Sequence, residues 1–362
     1  MKTLSRRSFL KYSAGAGAGL LLPSLLASAE TIKEEKQKEK LARYHFNFSS
    51  PYFTSKHLTT PHAHAEIKQL VESHTHNNVY VRIHDGGKMG IGTSLASSVR
   101  FNESQGALIS VSNISPLINE FDTLNIPFWS ANDEEYIRLF NSQPWKKYVT
   151  SKAPAFNIKV LFHYVVGART ATATHLYGKL IKSPEDFNGV RFRIPGSSSL
   201  GVFYKLARAK PIDIPWGLCA RTARKGRFDA LDPSVIGLYS GPEDLNRELS
   251  VISKIESVHD GWLAIGNTDF IDALDPKTRI GFLDAFAEIQ SLQAKLCKKA
   301  ENFCSKAFAE LGTKIYTPTP QEKAVLSESF GHHHPAWEPV KKRLLGENGM
   351  TVFDEFYKAA KG

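Results

Sequence analysis

The chain has 362 residues, 42% hydrophobic and 23% charged, with 46 Lys and Arg against 36 Asp and Glu. This balance excludes a disordered chain, and three cysteines in such a length exclude a disulfide scaffold. The basic residues are scattered and form no nucleic-acid module, so the net charge of +10 does not point to DNA or RNA.

The N-terminus explains part of that charge. Ser5-Arg-Arg-Ser-Phe-Leu-Lys11 is a twin-arginine signal, residues 14–26 are an Ala/Gly-rich apolar stretch, and Ala27-Ser-Ala29 is an A-x-A cleavage site. The apolar stretch falls short of the roughly 20 residues of a membrane span. Residues 1–29 are thus expected to be removed after the twin-arginine translocase has exported the folded chain to the periplasm. They carry Lys2, Arg6, Arg7 and Lys11 and no acid; 46 less these four leaves 42 basic against 36 acidic residues, or +6 for the mature chain. Residues 30–43 mix both charges with little apolar content and read as a flexible segment. No later apolar run reaches spanning length, so the mature chain is expected to be soluble.

Strand and helix signals then alternate. Residues 44–48 read as a strand, 62–73 as a helix with Ile67, Leu70 and Val71 on one face, and 79–84 as an alternating strand ended by the Asp85-Gly-Gly87 turn. A helix over 93–101 and a buried strand over 107–112 complete a βαβαβ order, the mark of an α/β fold. A second α/β unit comes next, with strands over 158–166, 190–194, 211–214 and 228–231 and a helix over 200–209. One long helix succeeds it. Asp275 is its N-cap, Pro276 its first residue, and Gly312 its C-terminal stop. Unbroken, it would run about 54 Å, enough to span two lobes, with Gly281 a weak point in its first turns.

Cys297 and Cys304 lie about 10 Å apart along that helix, beyond disulfide reach, and Cys219 has no C-x-x-C partner. All three read as small core residues. His332-His-His-Pro335 reads as an exposed loop, because consecutive histidines point apart and no acid or cysteine is spaced to complete a metal site. His62, His64, His74 and His76 include i,i+2 pairs, which share no helix face. No G-x-S-x-G, H-E-x-x-H or phosphate loop occurs, which argues against an enzyme, a metal centre or a cofactor.

Four segments, in order, resemble the extracytoplasmic solute receptors of TRAP transporters, the DctP-like family. They are Ile83-His-Asp-Gly-Gly-Lys-Met-Gly90, Leu124-Asn-Ile-Pro-Phe128, Lys182-Ser-Pro-Glu-Asp-Phe-Asn-Gly-Val-Arg-Phe-Arg-Ile-Pro195 and Gly226-Arg-Phe-Asp-Ala-Leu-Asp-Pro233, of which the third is the most specific. The resemblance covers residues 44–357. It implies a two-lobed periplasmic-binding-protein fold with a central cleft and a long helix bridging both lobes. Lobe I would hold 44–166 and about 257–300, lobe II 167–256 and about 301–362. It implies a receptor that binds a small organic acid without chemistry and delivers it to the small and large TRAP membrane subunits. Alternatives are an exported enzyme or a ligand-sensing subunit on the same fold.

The resemblance also assigns residues. Arg193 takes the place of the arginine that grips the ligand carboxylate, a role suited to a planar, always-charged fork of donors. Arg169, after Gly167-Ala168, takes the place of a second family arginine, although the chain is longer than usual around residues 174–178. Asp232 stands before Pro233 where many family members have asparagine. An ionised aspartate only accepts hydrogen bonds, so beside another carboxylate it needs compensation from Arg169, a ligand hydroxyl or ammonium, or a cation. Ser112 and Asn113, at the carboxyl end of a buried strand, are candidate polar contacts or simply a strand-ending turn. Trp216 is a candidate for the cleft wall or a packed core indole. Which acid binds stays open.

Overall fold

Strand β1 (Tyr44–Ser49) buries Phe46 and Phe48 and lies between β2 (Val79–His84) and β3 (Gly106–Ser110), parallel to both. The structure is a computed structural model and describes residues 32–362. The signal of residues 1–29 lies outside the described residues. Both sheets belong to the compact unit of residues 38–362. Within residues 30–43, expected from the sequence to be a flexible segment, Ile32–Leu41 forms a helix, with Glu34 and Glu35 in its first turn and Lys38 and Lys40 in its last. That arrangement favours a helix through its dipole.

The first sheet has the order β2-β1-β3-β10-β4, with β4 at Ile158–Tyr164 and β10 at Trp262–Asn267. Strand β10 runs antiparallel to both β3 and β4. It comes from far along the sequence, so the chain leaves this sheet after β4 and returns to it before β10. Between those points it builds most of a second sheet, β11-β9-β5-β8-β6-β7. Its strands are β5 (Ala171–Thr174), β6 (Arg191–Ile194), β7 (Lys210–Asp213), β8 (Ala230–Leu231), β9 (Leu249–Ser253) and β11 (Lys314–Tyr316). Both sheets are mixed, and helices cover them, as an α/β fold requires.

The two crossover segments lie side by side. Arg169 N–H donates to Val258 O at 2.7 Å, Asp260 N–H donates to Gly167 O at 2.9 Å, and Ala168 and His259 form an antiparallel bridge. Gly167 adopts φ +84°, a turn that favours glycine. The chain therefore has two paired strands between its sheets, and Arg169 and Asp260 sit on them.

A third connection is the long helix Pro276–Glu310, capped by the Asp275 side chain, which accepts from Thr278 N–H. It packs on β4 of the first sheet and on β11 of the second. Gly281 is no weak point. A Cβ there would lie 2.3 Å from His74 O, so glycine lets this helix cross the helix His64–His74 closely. Gln293, fully buried, donates from Nε2 to Pro61 O and Val165 O and accepts from Val165 N–H, tying the helix to the end of β4.

The C-terminal helices Glu338–Leu345 and Gly349–Lys361 fold back. The second packs on the helices Asp133–Asn141 and Gln143–Tyr148, with Trp145 against Phe356. This packing corrects the reading of His332 as exposed: it is buried against Phe353 and Tyr357, and its carbonyl accepts from the buried Lys341 ammonium. His62 and His64, off any common helix face, nevertheless stack with ring centroids 3.7 Å apart. The three cysteines are free and buried. Among the described residues no helix is long and apolar enough to cross a membrane.

Candidate ligand-binding site

Strand β6 carries Arg193 at a register opposite Ile212 of β7 and Leu231 of β8, so it sits inside the second sheet and not at its edge. The side chain is 3% exposed. Its Nε donates to Ile214 O at 2.9 Å, and its guanidinium carbon lies 5.2 Å from the centroid of the Trp216 ring. Trp216 is half-buried, its ring beside the arginine and also packed against the main apolar core. The carbonyl and the ring fix the guanidinium plane, leaving the two terminal nitrogens as the outward fork. Among the described residues those nitrogens make no hydrogen bond or ion pair.

The neighbouring arginines differ. Arg191, two residues earlier, is half-exposed and gives its fork to Asp229, with Nη2–Oδ1 at 2.6 Å and Nε–Oδ2 at 3.0 Å. Arg169 is buried and divides its fork between two acids, Nη1 to Asp232 Oδ1 at 3.0 Å and Nη2 to Asp260 Oδ1 at 2.9 Å. Burial works against the Arg169 charge, but Asp260 and Asp232 more than offset it and hold the guanidinium charged.

Asp232 is fully buried at the end of β8. Its Oδ2 accepts from the Tyr204 hydroxyl at 3.3 Å. Burial pushes its carboxyl above the usual carboxylate range, while Arg169 and then Arg193 pull it back. Asp260 accepts further bonds from Ser234 N–H and Oγ–H at 3.3 and 3.4 Å. Tyr52 and Tyr136 stand around this cluster: both phenols are pushed up by burial first and the Asp260 charge second. Tyr52 is half-buried and packs on Trp262 with centroids 5.1 Å apart.

The turn after Arg193 is held by an acid that no sequence motif marks. Asp122, buried, accepts from Ser197 Oγ–H and Ser198 Oγ–H at 2.6 Å each, and from Ser199 N–H at 2.8 Å. Ser197 caps the next helix, Ser198–Leu206, whose Tyr204 reaches Asp232. The helix Ser198–Leu206 thus joins the turn after β6 to the acid at the end of β8.

Of the residues expected at the site, Arg193 and Trp216 form one unit, and Arg169 and Asp232 form an ion-paired unit beside it. Ser112 and Asn113 lie on the short helix Val111–Ile114 after β3, so the expected strand over 107–112 ends at Ser110. The Ser112 hydroxyl is buried and accepts from Asn125 Nδ2 at 3.3 Å, an amide that also donates to Asp122 Oδ1 at 2.9 Å. Asn113 is half-buried and faces the Gly92 turn of the first sheet's loops. That loop reaches the second sheet's side, where Ile91 Cδ1 lies against Gly217, next to Trp216. Thr170, Thr172 and Thr174 are buried. Asp260, Tyr204 and Tyr52 belong to no motif in the sequence.

Two mixed sheets, two paired crossover strands and a bridging helix, with charged residues gathered at the crossover, define a two-lobed periplasmic binding fold. Residues 50–338 match the model of bacterial extracellular solute-binding protein family 7, DctP, and the chain belongs to that family. Residues 3–23 match the twin-arginine translocation pathway signal, so the protein is exported to the periplasm. Curated protein sequences give no match. Solved structures do. The sugar acid binding protein DctPAm from Advenella mimigardefordensis, in complex with galactonate, aligns at TM-score 0.76 and 18% identity, over 88% of this chain and 97% of that one. A TRAP periplasmic solute-binding protein from Desulfovibrio salexigens with bound orotic acid aligns at 0.78 and 15%, over 88% and 99%. One from Sulfurospirillum deleyianum with bound succinate aligns at 0.74 and 18%, over 89% and 99%.

Proposed function

We propose that this protein is the extracytoplasmic receptor of a TRAP-type transporter and that it binds a small organic acid by its carboxylate at Arg193. One observation carries the assignment. Arg169 and Arg191 give their forks to aspartates, whereas buried Arg193 turns its terminal nitrogens to no protein acid among the described residues. An arginine kept this dry has a use for its charge, and a carboxylate matches the fork. The acids named in the three solved relatives, galactonate, orotic acid and succinate, all carry that group.

In this reading residues 44–166 with about 257–300 form one lobe and 167–256 with about 301–362 the other. The paired segments around Arg169 and Asp260 act as the hinge. The lobes close over the acid, Trp216 forms the wall beside the guanidinium, and Asn113 approaches from the opposite lobe. Closure stabilises only what binds the closed form better. The receptor does no covalent chemistry and hands the acid to the small and large membrane subunits.

The test is a thermal-shift panel of carboxylates on the mature chain, with and without Arg193→Ala. A ligand at 100 times its dissociation constant stabilises the native state by about 2.7 kcal/mol. A shift in the parent that vanishes in Arg193→Ala supports the assignment. A shift that survives moves the anchor away from Arg193.

A further inference from the structure

We infer that capture of a carboxylate at Arg193 draws one proton into the site, onto Asp232. The inference rests on the receptor reading and extends it to the charge balance of the site. Arg169, Arg193, Asp232 and Asp260 are each less than one-tenth exposed. Arg169 serves both acids, so that triad carries one net negative charge. Arg193 brings the group of four to zero, and its charge already acts on Asp232.

A carboxylate seated on the Arg193 fork upsets that balance. The group becomes net negative while still shielded from water, and Arg193 no longer supports Asp232 alone. Buried uncompensated charge costs several kcal/mol, and carboxylates crowded around shared cations relieve it by binding a proton. Solvent supplies the proton, and no bond other than O–H forms.

Asp232 is the acceptor on geometric grounds. It follows Leu231, the β8 residue paired with Arg193, it is fully buried, and among the described residues its Oδ2 meets only the neutral Tyr204 hydroxyl. Once protonated, Oδ2 can donate to that same hydroxyl. Asp260, on the far side of Arg169, keeps the Ser234 donors as well. The other groups around Asp232 are Arg169 on the crossover, Arg193 on β6, Tyr204 on the helix Ser198–Leu206, and Cys219 on the helix Cys219–Arg224. Burial pushes the Cys219 thiol up to about 11 and the Tyr204 phenol well above its ordinary value, so neither titrates near neutrality. Tyr52 and Tyr136 face Asp260 and are raised likewise. His259, next to Asp260, is held between Ser130 and Asp133.

The experiment is titration calorimetry on the mature protein with succinate, galactonate, glucuronate, orotate and pantoate, between pH 6.5 and 8.5. Each pH is run in buffers of different ionisation enthalpy, which reads out proton uptake. The parent should take up close to one proton for a binding acid, and its affinity should fall by up to about tenfold per pH unit. In Asp232→Asn, which keeps an oxygen for Arg169 but cannot titrate, uptake should vanish and affinity should become flat with pH. Binding without uptake in the parent overturns the proposal, and so does equal uptake in Asp232→Asn, which would move the proton to another group. If Asp232→Asn does not fold, the parent's uptake and pH slope still decide between one proton and none. Failure of the receptor reading looks different: either none of the five acids binds, or binding survives Arg193→Ala.

Discussion

Replacing Arg169 with methionine removes the cation from between two buried acids and keeps an unbranched side chain of similar reach. Two charge-assisted bonds, at 3.0 and 2.9 Å, disappear. Asp232 is fully buried and Asp260 is 6% exposed, so water replaces little of what is lost. Removing one partner of a buried ion pair costs about 3–5 kcal/mol. At roughly 2 °C per kcal/mol for a chain this large, the melting temperature should drop by about 6–10 °C at pH 8. The loss should depend on pH, and the sign is fixed. Without Arg169, burial holds the Asp232 carboxyl above the unfolded value of about 3.9. The folded variant then holds a proton that the unfolded chain releases. Its stability is therefore fully present near pH 4 and falls as pH rises through the folded value. Calorimetric melts of parent and variant at pH 5 and pH 8 check this. A drop of the same size at both pH values, or one below about 1 kcal/mol, would refute the view that Arg169 exists to neutralise this pair.

Buried groups elsewhere lead to two further outcomes. Gly281→Ala improves helix propensity by about 1 kcal/mol, yet its Cβ would meet His74 O at 2.3 Å. Such overpacking costs about 1–3 kcal/mol, so urea unfolding should show a net loss, and a gain would mean the helix crossing is loose. Burial holds His62 at about 4 and His163 and His332 at about 3, far below the ordinary histidine value. Unfolding lets them bind protons, so stability should be complete above about pH 6.5 and decline from there towards pH 4. His163→Phe, in a site stacked on Phe140, should make that decline shallower whatever it does at pH 7, as read by thermal melts across the range.

The elements that local pattern determines were legible in the sequence, and those set by distant partners were not. Strands β1 and β2 alternate cleanly, and Asp275-Pro276 with Gly312 brackets the long helix, because caps and periodicity act within a few residues. Strand β10 carries no such sign. Residues 262–267 are a short apolar run, and only pairing with β3 and β4 makes them a central strand. That insertion lays the 254–261 segment beside Arg169, so Asp260 was invisible until β10 was placed. Likewise His332 is covered by Phe353 and Tyr357 from a later helix, which no local reading of three histidines contains. For the site, the motif around residues 182–195 pointed to Arg193, but the division of labour between Arg169 and Arg193 depends on which acids the fold brings within 3.0 Å.

That division gives a sharper test than deletion. Arg193→Lys keeps the positive charge that balances Asp232 and loses three geometric features at once. These are the second donor of the fork, the Nε bond to Ile214 O, and the flat face against Trp216. If the site needed charge alone, lysine would serve. If it reads the two oxygens of a carboxylate together, one charge-assisted bond is forfeited, worth about 1.5–3 kcal/mol, or roughly 10- to 150-fold in affinity. Ala at the same position also strips the charge and should weaken binding beyond the lysine variant. Binding constants for one carboxylate on parent, Arg193→Lys and Arg193→Ala order the three. Lysine equal to the parent would show that the plane fixed by Ile214 and Trp216 is not what selects the ligand, and the fork argument would fall while the charge argument stood.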